Sequence, residues 1–188
     1  MNIIGIISDT HRILPDSALS IFKGEYDRAN ILESLDLRDD ATGLPVRKVD
    51  HIIHAGDIGD FDRPHQMILD RLSGIAPVHA VLGNCDTDGY FVDATEVTRD
   101  AIEFDVGGLA VAVAHEPELL NSHIRRTGHN PMLRIHGHTH RYNIQQDGDS
   151  VLVCPGSANR PRNEMGFRTV ALAYSEGPKL LRVEIVHL

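Results

Sequence analysis

Five short segments of this chain carry side chains able to bind divalent metals: Ser8-Asp9-Thr10-His11, Gly56-Asp57, Gly83-Asn84-Cys85-Asp86, His115, and Gly137-His138-Thr139-His140. Carboxylate oxygen, amide carbonyl oxygen and neutral imidazole nitrogen are donors for hard to borderline cations. Taken singly the segments say little. An Asp two residues before a His is common at a turn or helix start. Asn and Asp after a strand suit a simple turn, because both tolerate left-handed backbone. Gly-His-Thr-His is stronger, since His at i and i+2 of an extended segment project to one side. Their shared placement decides the matter. Each stands where an apolar run stops: Asn2–Ile7, His51–Ala55, Pro77–Leu82, Leu109–Ala114 and the run leading to His136. Sites in open α/β sheets are built at the C-terminal edge of the strands.

The intervening segments must hold those edges together. Pro15–Lys23 predicts a helix stopped by Gly24. Tyr26–Leu37, with Ile31, Leu32 and Leu35 in a roughly helical stripe, predicts a second, and Arg38–Pro45 a loop. Phe61–Gly74 carries Met67, Ile68, Leu69 and Leu72 and predicts a third. The order β-α-β-α-β implies a parallel sheet with right-handed crossovers. In the second half, Ala101–Val106 and Leu109–Ala114 flank Gly107-Gly108, a hairpin signal. Glu116–Thr127 reads as a helix with Pro117 in its first turn. Strands follow near Leu133–His136, Tyr142–Gln146, Val151–Cys154, Phe167–Tyr174 and Leu180–Val186. The fold class expected is α/β: a four-layer αββα sandwich of two mixed sheets flanked by helices, one domain over residues 1–188. Thr87–Thr98 and Asn121–Pro131 are expected as loops that shape the pocket.

A chain of 188 residues with 41% hydrophobic and 24% charged content has the composition of an ordinary globular domain. No apolar run is long enough to span a membrane or serve as a signal peptide. Only Cys85 and Cys154 are present, without a CxxC, so a disulfide framework is not expected and a cytoplasmic setting fits. A net charge of -9 with no basic stripe argues against general nucleic-acid coating. It does not argue against a phosphate ester, because metal cations facing carboxylates leave a locally positive pocket. Of the twelve histidines, His51, His65, His79, His123 and His187 read as surface or satisfied core residues.

The five segments in this order resemble the signature of the calcineurin-like metallophosphoesterases. Gly83-Asn84-Cys85-Asp86 and Pro155-Gly156-Ser157…Pro161-Arg162 are similar to the small bacterial and archaeal phosphodiesterase branch, which also includes the eukaryotic retromer scaffold subunit. The resemblance implies two adjacent divalent ions. Asp9, His11 and His140 would hold one, Asn84, His115 and His138 the other, and Asp57 would bridge both. Mn²⁺ is the first choice for such mixed oxygen and nitrogen donors, with Fe²⁺, Ni²⁺ or Zn²⁺ as alternatives. A hydroxide between ions about 3.5–4 Å apart would attack phosphorus, with Asp57, Asn84 and His115 as the principal catalytic residues. The function implied is hydrolysis of phosphodiesters or activated phosphate esters. Two alternatives stay open: a phosphomonoesterase on nucleotides or small phosphorylated metabolites, and a non-catalytic scaffold of the same fold. The expected partner is a small phosphate ester, and self-association is open.

Several positions depart from that pattern. Cys85 stands where many family monoesterases carry a His that protonates the leaving group; it reads equally as a buried turn residue. Glu116 follows His115 where Gly is usual, and reads as a solvated helix-start residue ahead of Pro117 in preference to one that approaches the cleft. Arg12 reads as a substrate contact or as a solvated side chain, while Asp86, His136 and His54 would support the ligands. The segment around 25–48 is longer than in the branch, as an inserted helix and an acidic loop over Asp36–Asp40.

Overall fold

Along the first strand, β1 (Asn2–Ile7), alternate side chains go to opposite faces: Ile3 and Ile7 join one apolar cluster, Ile4 and Ile6 another. That alternation sets the layering. The computed structural model describes residues 1–38 and 43–188. After β1 come α1 (Asp16–Phe22), β2 (Ile31–Asp36), β3 (His51–Ala55), α2 (Met67–Ser73) and β4 (Val78–Val81). A small pair, β5 (Phe91–Val92) and β6 (Thr95–Glu96), precedes β7 (Ile102–Val106), β8 (Leu109–Val113) and α3 (Pro117–Thr127). The chain ends with β9 (Leu133–Ile135), β10 (Tyr142–Asp147), β11 (Ser150–Pro155), β12 (Thr169–Glu176) and β13 (Lys179–His187).

Two mixed sheets result, in the strand orders β2-β13-β12-β1-β3-β4 and β10-β11-β9-β8-β7. In the first, β1, β3 and β4 run parallel; in the second, β8, β9 and β11 do. Ala18, Ile21 and Phe22 of α1 and Ile68, Leu69 and Leu72 of α2 pack on the outer face of the first sheet. Ile53, Val81, Val111, Ile135, Val153 and Ile185 fill the space between the sheets. Leu120 of α3 covers Ala112 and Ala114 on the far side. The expected αββα order is the observed one. No helix among the described residues is long and apolar enough to cross a membrane.

Three sequence expectations need correction. Tyr26–Leu37 is not a helix. Asp27 caps a single 3₁₀ turn, Arg28–Asn30, and Ile31–Asp36 then pairs antiparallel with β13. The free edge of β13 offers backbone partners that intrinsic helix propensity cannot match. The insertion around 25–48 therefore contributes an edge strand, and Asp39 and Asp40 of the acidic loop lie outside the described residues. The helix expected from Phe61 begins only at Met67. Pro64 disfavours helical backbone at Arg63, and Phe61 is itself left-handed. Finally, Asn121–Thr127 belongs to α3, so only its end is loop.

Candidate metal centre

Because β1, β3 and β4 are parallel, as are β8 and β9, all five metal-binding segments leave the sandwich at one end. The chain must then turn sharply. Asp9, His11, Asp57, His138 and His140 all take positive φ, between 42° and 68°. Left-handed backbone, rather than strand alternation, thus places His138 and His140, and the two point to different neighbours. Glycine makes the close approach feasible. A Cβ on Gly83 would overlap the Asp57 carboxylate, and one on Gly137 would overlap the Ser8 hydroxyl.

Two donor sets meet at Asp57. Donor atoms of Asp9, His11, Asp57 and His140 all lie within 4.8 Å of one another, and all four residues are buried. Asp57 Oδ2 is 3.7 Å from His11 Nε2, which is 3.4 Å from His140 Nε2. On the other side, Asp57 Oδ1 is 3.4 Å from His115 Nε2. Asn84 Oδ1 is 3.1 Å from His115 Nε2 and 2.9 Å from His138 Nδ1. Each oxygen of the Asp57 carboxylate therefore faces a different set.

Backbone carbonyls fix the imidazoles. His140 donates Nδ1–H to Arg160 O at 2.5 Å, and His115 donates Nδ1–H to Ala55 O at 2.7 Å. Both rings thus turn the Nε2 lone pair inward. The lone pair of His140 meets Asp9 Oδ1 at 3.1 Å, and that buried oxygen has no hydrogen-bond partner. Two electron-pair donors at this distance require something positive between them. A divalent cation fits, and in its absence a proton is the substitute. Burial lowers the pKa of His140, but the Asp9 carboxylate beside its ring outweighs burial and the net shift is upward. His115 is raised likewise: burial opposes charging, and Asp57 prevails. Asp57 is held far below the carboxylate range, since His115 and the Cys85 N–H overcome its burial. Burial lowers His11.

The surroundings hold this geometry. Asp86 accepts backbone N–H groups from Ile58, Gly59 and Gly83, at 3.1, 2.6 and 2.8 Å, and so clamps the turns after β3 and β4. His54 accepts the Gly56 N–H at Nδ1 and donates Nε2–H to the Thr10 hydroxyl. Its burial lowers its pKa to about 3, so it is neutral. His136 is buried, lowered by that burial, and bonds the Gly137 carbonyl at 2.9 Å.

The cleft over the ligands measures ≈ 130 Å³ and is lined by His11, Asp57, Asn84, Cys85, His138, His140, Arg160 and Arg162. Cys85 faces it as a thiol whose pKa burial and the Asp57 charge push up to about 12. Arg12 does not line it. Its guanidinium is 3.2 Å from Asp62 and donates to the Asp60 carbonyl at 2.7 Å. Sequence reasoning missed Arg160 and Arg162 as lining residues, although they follow the Pro155-Gly156-Ser157 signal. The Ser157 hydroxyl bonds the Asp9 carbonyl and accepts the N–H groups of Asn159 and Arg160. Glu116 stands at the start of α3 as expected, half-buried, and lines a neighbouring open cleft with Leu82, Gly83, Asn84, Arg99, His115 and Leu119.

With fold and geometry in hand, the class is defined: a phosphoesterase-type sandwich with a divalent-metal site at its strand ends. The calcineurin-like phosphoesterase superfamily domain matches residues 1–177, and the chain belongs to that family. A probable metallophosphoesterase from Methanothermobacter thermautotrophicus is 31% identical over 172 residues, covering 85% of this chain and 79% of that one. Among solved structures, a novel archaeal phosphodiesterase is similar at 21% identity, TM-score 0.66, covering 99% of each chain. Vps29 from Entamoeba histolytica complexed with Zn²⁺ is similar at 15% identity, TM-score 0.63, covering 99% of this chain and 98% of that one. Family and ligand cluster together support a metal-dependent phosphoesterase.

Proposed function

We propose that this protein hydrolyses phosphodiesters or activated phosphate esters with two divalent ions. The carrying observation is the division of Asp57, one carboxylate oxygen turned to His11 and the other to His115. Asp9, His11 and His140 would hold one ion, Asn84, His115 and His138 the other, and Asp57 both. Bound ions of this kind supply a nucleophile at neutral pH and neutralise charge developing on the phosphoryl group. The chain's part is to hold these donors rigid through Asp86, the Ala55 and Arg160 carbonyls and the left-handed turns. Arg160 and Arg162 present cations to the phosphoryl oxygens. Cys85, a poor acid, leaves the departing alkoxide without a strong proton donor. Mn²⁺ is the metal of choice for this donor set.

A non-catalytic scaffold of this fold has no need of the donors, and all seven are present here; this favours catalysis. The test is metal content together with turnover of bis(p-nitrophenyl) phosphate, after chelation and Mn²⁺ reloading. Two ions per chain and chelator-sensitive hydrolysis are expected. The thermal transition should survive chelation, because the ligands stand at the edge of a large core. One ion at full loading, or hydrolysis indifferent to chelator, would sink the reading.

A further inference from the structure

Two clefts adjoin at Asn84, and their charges differ. The cleft above the ligands, ≈ 130 Å³, carries Arg160 and Arg162 on its wall. The backbone that carries both is fixed. The Arg160 carbonyl receives the His140 ring N–H, and the Arg162 N–H donates to the His140 carbonyl at 3.0 Å. Their loop is therefore tied to a candidate ligand at two points. Arg160 meets Asp60 at 2.8 Å, while Arg12 sits between Asp60 and Asp62. Arg162 has no side-chain hydrogen bond or ion pair among the described residues. Of the two guanidiniums on this cleft, Arg160 is paired with Asp60 and Arg162 alone is uncommitted.

The second cleft, ≈ 170 Å³, extends from Asn84 and His115 to Leu82, Leu119, Arg99 and Glu116. Its cation is committed. The Arg99 guanidinium donates to the Gly83 carbonyl at 2.5 Å and to the Asp86 carbonyl, and lies 3.6 Å from Asp88. Its anion is not. The Glu116 carboxylate has no hydrogen bond or ion pair among the described residues. Its backbone is extended, at φ -91° and ψ 134°, and Pro117 disfavours any return to helix. The uncommitted charge of this cleft is negative, beside two leucines. At roughly 30 Å³ per water, the space suits a single ring or short chain.

We propose that a phosphate ester lies across Asn84 in one sense. Its phosphoryl oxygens face Arg160 and Arg162, and its ester arm, uncharged or cationic but not anionic, enters the cleft of Leu82, Leu119 and Glu116. This deepens the phosphoesterase reading and rests on it. The selection is electrostatic: an anionic arm meets an unpaired carboxylate, a cationic arm finds a partner, and the apolar body of either covers the leucines.

The test uses the Mn²⁺-loaded protein and two diesters with the same leaving group, p-nitrophenyl phosphorylcholine and its counterpart with a 2-carboxyethyl arm. kcat/KM is measured for both, and calorimetry gives Kd for the two matching non-hydrolysable phosphonates. Wild type should favour the cationic arm by about threefold to tenfold in both readouts, the scale of one partly exposed attraction set against one repulsion. Glu116→Gln should bring the ratio to about one with metal content unchanged. Arg162→Met should weaken both ligands equally and leave the ratio as it was. Equal binding in wild type, a preference for the anionic arm, a ratio that survives Glu116→Gln, or a ratio altered by Arg162→Met would each overturn the proposal. Phosphonates bound in the expected ratio with neither diester hydrolysed would overturn the phosphoesterase reading and leave the orientation standing.

Discussion

Asp57 Oδ1 accepts the backbone N–H of Cys85 at 2.9 Å, joining the turn after β3 to the turn after β4. The bond fixes the plane of the carboxylate, so that one oxygen stays with His115 while the other faces His11. An amide in its place would keep the shape but lose a charge, and one of its atoms would be an N–H donor where a lone pair is required.

Asp57→Asn is therefore expected to reduce kcat/KM by on the order of 10³-fold or more and to lower metal content, with the circular dichroism spectrum unchanged. Metal analysis and steady-state kinetics on one preparation check it. Full metal loading with retained turnover would remove Asp57 from the centre.

The Cys85 thiol, raised to about 12 by burial and by Asp57, should be nearly inert in the chelated protein. At pH 8 its thiolate fraction is roughly 10³-fold below that of a free thiol, so iodoacetamide labelling should be slowed by a similar factor until the chain is unfolded. In turnover, the same weak acidity should give a steep dependence of kcat/KM on leaving-group pKa, flattened in Cys85→His. A flat wild-type series with chemistry limiting would show that another residue already serves as the acid.

His54 is buried and lowered to about 3 by that burial. The unfolded ring takes up a proton below its ordinary pKa of about 6.5, and the folded ring does not. Its share of stability is thus present above pH 6.5 and lost as the pH falls toward 3, with a slope of at most about 1.4 kcal/mol per pH unit. His54→Gln should show a shallower loss of denaturation free energy between pH 7 and pH 4. Parallel curves for the two proteins would mean that His54 is charged in the fold.

Much of this was legible in the sequence because strand ends carry two signals at once. Ile7 to Asp9, Ala55 to Asp57 and Val113 to His115 each show an apolar run stopping at a donor, and each strand lies where its run predicts. Ile31, Leu32 and Leu35 misled because three apolar residues fit a helix stripe as well as an edge strand. The partner that decided, β13, lies about 150 residues away in the chain. His138 and His140 were expected to project to one side and instead turn to Asn84 and Asp9, since backbone handedness leaves no mark on composition. Arg162 was noticed only as part of a resembling segment, and Arg160 not at all, because a cation on a loop looks solvated until His140 is seen bonded to that loop. Glu116 was legible as a helix start, while the cleft it lines depends on Leu82 and Arg99, which lie far from it in the chain.

The left-handed turns that aim the donors carry a consequence for the history of the chain. His11, Asp57, His138 and His140 hold a backbone conformation that side chains adopt at about 1–3 kcal/mol each. Hydrogen bonds to the Cys85 N–H and the Arg160 carbonyl offset part of that strain at Asp57 and His140, whereas the exposed His138 ring has only Asn84. A lineage released from hydrolysis would gain stability if position 138 drifted to Gly or Asn, so loss of that ligand runs downhill and recovery uphill. His138→Gly in this protein is accordingly expected to raise the melting temperature of the metal-free form while abolishing turnover. A melting temperature unchanged or lowered would show that the turn is held at no cost.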